Sequence, residues 1–144
     1  MKYRKLFAAL AVLLALALGA AQAETYLSAY AYGAINETNL ERARYGLDAL
    51  RVDEELMAAA QVRAGEIVQK FSHTRPDGTL WRTVSSAVYG ENIARGHNNP
   101  DRVMAAWMSS SEHRQNILRA SFGSIGVACA RVGNVCYWVQ LFGR

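Results

Sequence analysis

The stretch from Ile125 to Phe142 constrains this chain most. In Tyr137-Trp138-Val139-Gln140-Leu141-Phe142 the side chains alternate so that a strand would carry one strongly apolar face. A second strand, Ile125 to Ala130, precedes it across Arg131-Val132-Gly133-Asn134, whose composition is that of a turn. Such a hairpin must be covered, and nearly everything before it reads as helix. Helices first and an antiparallel hairpin last predict an α+β domain with the sheet covered on both faces. At 144 residues the chain is long enough for one domain, and 51% hydrophobic content supplies a continuous core.

Part of that hydrophobicity belongs to the N-terminus. Met1-Lys2-Tyr3-Arg4-Lys5 is basic, residues 6 to 20 are apolar, and Ala21-Gln22-Ala23 has the small-x-small form of a signal peptidase site. Residues 1–23 are therefore read as a signal peptide, with the mature chain starting at Glu24. The apolar run, about 15 residues, is shorter than the roughly 20 needed to span a bilayer, so no stable membrane span is expected after cleavage. The expected location is secreted, extracellular or periplasmic. Removing Lys2, Arg4 and Lys5 from the 16 basic residues leaves 13 against 12 acidic ones. The mature chain is thus almost neutral, which gives no argument for nucleic acid binding. In an oxidising compartment Cys129 and Cys136, on either side of the hairpin turn, are expected to pair as a disulfide.

Residues 24–34 show no clear amphipathic period and are read as an N-terminal tether that docks loosely. From Asn36 the pattern is helical, with Leu40, Ala43, Arg44 and Leu47 on one side and Gly46 placed to end the helix in a left-handed turn. Asp53 is the expected cap of a second helix reaching about Lys70, with Val52 as a staple. Leu56, Ala59, Ala60, Arg63, Ile67 and Phe71 lie near one of its faces. Pro76 and Gly78 stop further helix and leave His73 on the exit, and a short turn over 79–86 is expected to bury Trp81. Asn99-Pro100-Asp101 starts a third helix with Val103, Ala106, Trp107 and Ser110 on one face. Ser111 is the expected cap of a short fourth helix carrying His113.

Between these helices lies Tyr89-Gly90-Glu91-Asn92-Ile93-Ala94-Arg95-Gly96, where Glu91 is bracketed by glycines on a short extended segment. The ordered motifs extend this picture: Asn39-x-x-Arg42 with Gly46-Leu47, Phe71-Ser72-His73 with Arg75-Pro76-Asp77-Gly78, Gly90-Glu91-Asn92-Ile93-Ala94, Trp107-Met108 with His113-Arg114 and Asn116-Ile117, and the closing Tyr137 to Phe142 strand. In this combination the chain resembles the CAP superfamily (cysteine-rich secretory proteins, antigen 5 and pathogenesis-related 1 proteins; the SCP domain) in its short bacterial secreted form, over residues 35–144. The resemblance implies a three-layer α/β/α sandwich with a central, mainly antiparallel sheet.

It also implies a cleft in which two histidines and two glutamates can hold a divalent cation such as Zn²⁺. The matching residues are His73, Glu91 and His113, with Asn92, Arg75, Ser110 and Asn116 expected around the same cleft. The second glutamate has no counterpart, since Ser109, Ser110 and Ser111 stand in its region. Two imidazoles and one carboxylate with an open position would suit catalytic zinc. On that expectation Glu91→Gln would weaken zinc binding sharply. Two functions stay open: a non-catalytic binding module for a small molecule, lipid or cell-envelope component, expected to be a monomer, and a metal-assisted hydrolase of peptides with Glu91 as general base.

Overall fold

The computed structural model describes residues 28–144. The expected signal peptide and its cleavage point lie outside the described residues. Helix α1 occupies 28–44, β1 Arg51–Val52, α2 Glu54–Gln69, a 3₁₀ turn Trp81–Val84, β2 Gly90–Arg95, α3 Pro100–Ser109, α4 Ser111–Ile117, β3 Ser124–Val132 and β4 Val135–Gly143. The strands form one sheet in the order β1-β3-β4-β2, with β1 parallel to β3 and the other pairs antiparallel.

Alternation along the strands divides the core. Ile125, Val127, Cys129, Cys136, Trp138 and Phe142 face α1, α3 and α4, where they meet Ala31, Ile35, Val103, Trp107 and Ile117. Ala128, Val139, Leu141 and Ile93 face α2, packed on Leu56, Ala60, Ala64 and Ile67. This is the α/β/α sandwich, built because each apolar strand face needs a helical cover. Gly126 brings α2 close, since a Cβ there would lie 2.2 Å from the Leu56 carbonyl carbon.

The helix caps follow the sequence. Asp53 accepts from the Leu56 amide at 3.0 Å, and Asn99 from the Arg102 amide at 2.9 Å with Pro100 opening α3. Gly46 leaves α1 with φ 70° as expected, the Leu47 amide bonding back to the Arg42 carbonyl. Ser110 rather than Ser111 holds the α4 cap, without a side-chain bond.

Four expectations are corrected. Residues 28 to 34 are no loose tether: they form the first turns of α1, with Ala31 and Ala34 buried and Tyr30 stacked parallel to Trp138 at 5.7 Å. The buried stripe is Ala31, Ala34, Ile35, Thr38 and Arg42, in which Ile35 is the one large apolar residue and the others carry little apolar signal, so Leu40 faces solvent. Phe71, placed near the inner face of α2, lies beyond the helix end and is exposed beneath the Arg95 guanidinium. The expected disulfide is absent, and Cys129 and Cys136 are free, buried thiols. In the observed register Cys129 opposes Trp138 and Cys136 opposes Arg131, which leaves the cysteines diagonal to each other. Diagonal residues stand roughly 7 to 8 Å apart, beyond the usual reach of a bridge.

Candidate functional site

Strand β2 positions the site by presenting consecutive residues to opposite faces. Glu91 points toward α2 and Asn92 toward α4. On the α2 side, Arg63 sits on the inner face of the helix with its side chain fully buried. Its Nε donates to Glu91 Oε2 at 2.7 Å and its Nη2 to Glu91 Oε1 at 3.1 Å. Glu91 Oε1 also meets His73 Nδ1 at 2.8 Å. Further Arg63 bonds run to Glu66 and to the Ser72 carbonyl, and Arg75 grips Glu66 from outside at 2.6 Å. The chain His73–Glu91–Arg63–Glu66–Arg75 thereby ties the 71–78 loop to α2.

The electrostatics follow from these bonds. Burial alone would lower the Arg63 pKa, but the hydrogen bonds it donates to Glu91 and Glu66, with their charges, outweigh it and hold it above its ordinary value. Burial likewise pushes Glu66 up, and the bonds from Arg75 and Arg63 bring it below the usual carboxylate value.

On the other face the network is neutral. Asn92 Nδ2 donates to Gln140 Oε1 at 2.9 Å and to the His113 carbonyl at 3.1 Å, while Asn116 Nδ2 donates to Asn92 Oδ1 at 2.9 Å. Gln140 continues to Thr38 of α1 at 2.7 Å. These bonds fix α4 to the sheet and so place His113.

His73 and His113 border one open cleft of about 480 Å³, together with Trp81, Tyr89, Glu91, Asn116 and Arg119. Burial, then the nearby His73, lowers the His113 pKa, and Glu112 opposes them. The structure thus brings His73, Glu91, His113 and Asn116 to one cleft. Asn92 acts from behind it, fully buried. Arg75 is turned away toward Glu66 and Thr83, and Ser110 lies between α3 and α4 outside the cleft lining.

The arrangement does not fit a three-ligand metal centre. Both oxygens of Glu91 are taken, its side chain is fully buried, and its charge is balanced by a guanidinium. Among the described residues no three His, Cys, Asp or Glu side chains gather as metal ligands do. His73, His113 and Glu112 remain along the cleft wall.

Comparison with known proteins agrees with the fold and motifs. A model of the cysteine-rich secretory protein (CAP) family matches residues 35–142. The chain belongs to this family. Protein YkwD of Bacillus subtilis is 36% identical over 128 residues, covering 83% of this chain and 49% of that protein. This CAP chain therefore spans about half the length of the curated relative it matches. An extracellular SCP-domain protein of Bacillus anthracis superposes with a TM-score of 0.73 at 25% identity, over 85% of this chain and 42% of that one. An outer surface protein of Borrelia burgdorferi shares the fold with a TM-score of 0.67 at 24% identity, over 76% of this chain and 88% of that one.

Two contributors escaped sequence reasoning. Arg63 was legible only as a cation on the apolar face of α2, which was the one signal that it needed a buried anion. Gln140 was hidden in the apolar alternation of β4, where its polarity on an inward position marks the neutral network.

Proposed function

We propose that this CAP domain is an exported, non-catalytic binding module whose His73–His113 cleft holds a small molecule, lipid or cell-envelope component. The observation that carries this reading is the commitment of Glu91. A general base must offer a lone pair to a substrate proton, and the Glu91 oxygens already accept from Arg63 and His73. The cleft around it has the composition of a recognition site: Trp81 and Tyr89 offer ring surface, while His73, His113 and Arg119 offer polar contacts. In this reading a divalent cation is at most a guest of the two imidazoles. The N-terminal signal pattern and the extracellular relative from Bacillus anthracis support a location outside the cytoplasm.

The test uses soluble peptidoglycan fragments and phospholipid vesicles as probes against the mature protein. Backbone and indole NMR shifts should move saturably at His73, Trp81, Tyr89 and His113 with one of them. Tyr89→Ala, at a half-exposed position, should weaken that binding about tenfold, or roughly 1.4 kcal/mol. Cleavage of the fragments detected by mass spectrometry would overturn the non-catalytic reading in favour of the hydrolase.

A further inference from the structure

A cation already stands behind the cleft. The structure assigns that place to Arg63: its guanidinium occupies Glu91, which makes Glu91 a positioning residue for His73 and withholds it from any metal ion. Three observations carry this. Arg63 reaches both carboxylate oxygens in a forked pair, the geometry in which a guanidinium binds a carboxylate most strongly. Neither side chain touches solvent, so the pair is not loosened by water or salt. Arg63 is itself held by Glu66 and the Ser72 carbonyl and cannot swing aside without abandoning those bonds.

The consequence is read at His73. Glu91 Oε1 has no proton to give, so the 2.8 Å contact requires the proton on His73 Nδ1. In the neutral ring this leaves Nε2 as an acceptor on the half-exposed side of the imidazole, whose side chain is 51% accessible and borders the cleft. The cleft thus offers a ligand a hydrogen-bond acceptor of fixed direction. Arg63 acts on it only through Glu91.

This deepens the binding-module reading and rests on it for the role of Nε2 toward a ligand. The test needs no ligand. Long-range proton–nitrogen NMR on the ring of His73 should show the Nδ1–H form in the wild type, and the Nε2–H form would overturn the assignment. Calorimetric Zn²⁺ titration should show a loss in Glu91→Gln that stays within about a hundredfold, the scale expected when an outer partner that orients His73 is altered. Arg63→Met should free the carboxylate and tighten zinc binding roughly tenfold, the scale on which shell partners alter metal affinity. Arg63→Met/Glu91→Gln, which leaves no buried charge unpaired and guards against a single variant that does not fold, should lose that gain and return to the Glu91→Gln value. A loss beyond about a hundredfold in Glu91→Gln, more than an outer partner supplies, would show that Glu91 is a ligand and would sink the proposal. If the zinc series behaves while peptidoglycan fragments and vesicles both fail to move the cleft signals, the ligand reading falls and the role of Arg63 stands.

Discussion

Glu91 and Asn92 are neighbours in the chain, yet the two faces of β2 solve the burial of a polar side chain in opposite ways. Toward α2, Glu91 is matched by a buried guanidinium, and charge is handed outward through Arg63 and Glu66 to the surface at His73 and Arg75. Toward α1 and α4, Asn92 joins a run of neutral amides and a hydroxyl that stays inside, from Asn116 through Gln140 to Thr38. No buried side-chain nitrogen or oxygen among the described residues lacks a partner, so both solutions are complete. The difference lies in where each network ends. The ionic one carries charge to the cleft and orients His73 there, while the neutral one runs from Asn116 at the cleft to Thr38 on α1 and locks helices to the sheet.

The largest effect should come from breaking the ionic side. Arg63→Met leaves a fully buried carboxylate without its counter-charge and should cost about 3 to 5 kcal/mol by denaturant unfolding. Replacing both partners, as in Arg63→Met/Glu91→Gln, should recover much of that loss, because no charge is then buried alone. Equal stability of the single and double variants would mean that the pair is not energetically coupled.

Breaking the neutral side should be milder. Asn92→Ala strands Gln140 Oε1 and takes one partner each from the His113 carbonyl and from Asn116 Nδ2, which keeps its bond to the Glu91 carbonyl, and an unsatisfied buried polar group costs roughly 1 to 3 kcal/mol. Since α4 is tied down through these bonds, the His113 NMR signals should shift while those of His73 keep their position. Equal movement of both would show that the two networks are not separate.

The smallest effect, and the one that separates the networks by kind, is pH dependence. Glu66 has a folded pKa below its ordinary 4.5, so its contribution is complete above that value and is lost as pH falls through the folded pKa. His113 has a folded pKa below its ordinary 6.5; the unfolded chain therefore takes up its proton first, and stability declines as pH drops through that value. Unfolding midpoints should be level from neutrality up toward the ordinary thiol value of 9.0, above which the buried Cys129 thiol, pushed up by burial, lowers stability, and should fall in two stages as pH drops. Asn92→Ala should lower the whole profile without changing its acidic stage, whereas Arg63→Met/Glu91→Gln, which removes one partner of Glu66, should shrink that stage. An acidic stage of equal size in all three proteins would place its origin outside this network.

The sequence alone determined the elements with local causes. Asp53, Asn99-Pro100 and Gly46 act within one helical turn of themselves, and the alternation of β4 is a property of consecutive residues, so caps, strands and the α+β order were legible. The family motifs brought His73, Glu91 and His113 to one cleft before any geometry was known. Tertiary structure decided what those residues do there. The pairing of Arg63 with Glu91 joins positions 28 apart in sequence, and the register that sets Cys129 diagonal to Cys136 depends on how β3 and β4 align. The inner stripe of α1 likewise becomes visible only when Trp138 and Gln140 lie beneath it. Local chemistry limits backbone conformation residue by residue, whereas the choice of partner for a buried charge, thiol or small side chain is made when distant surfaces exclude water together.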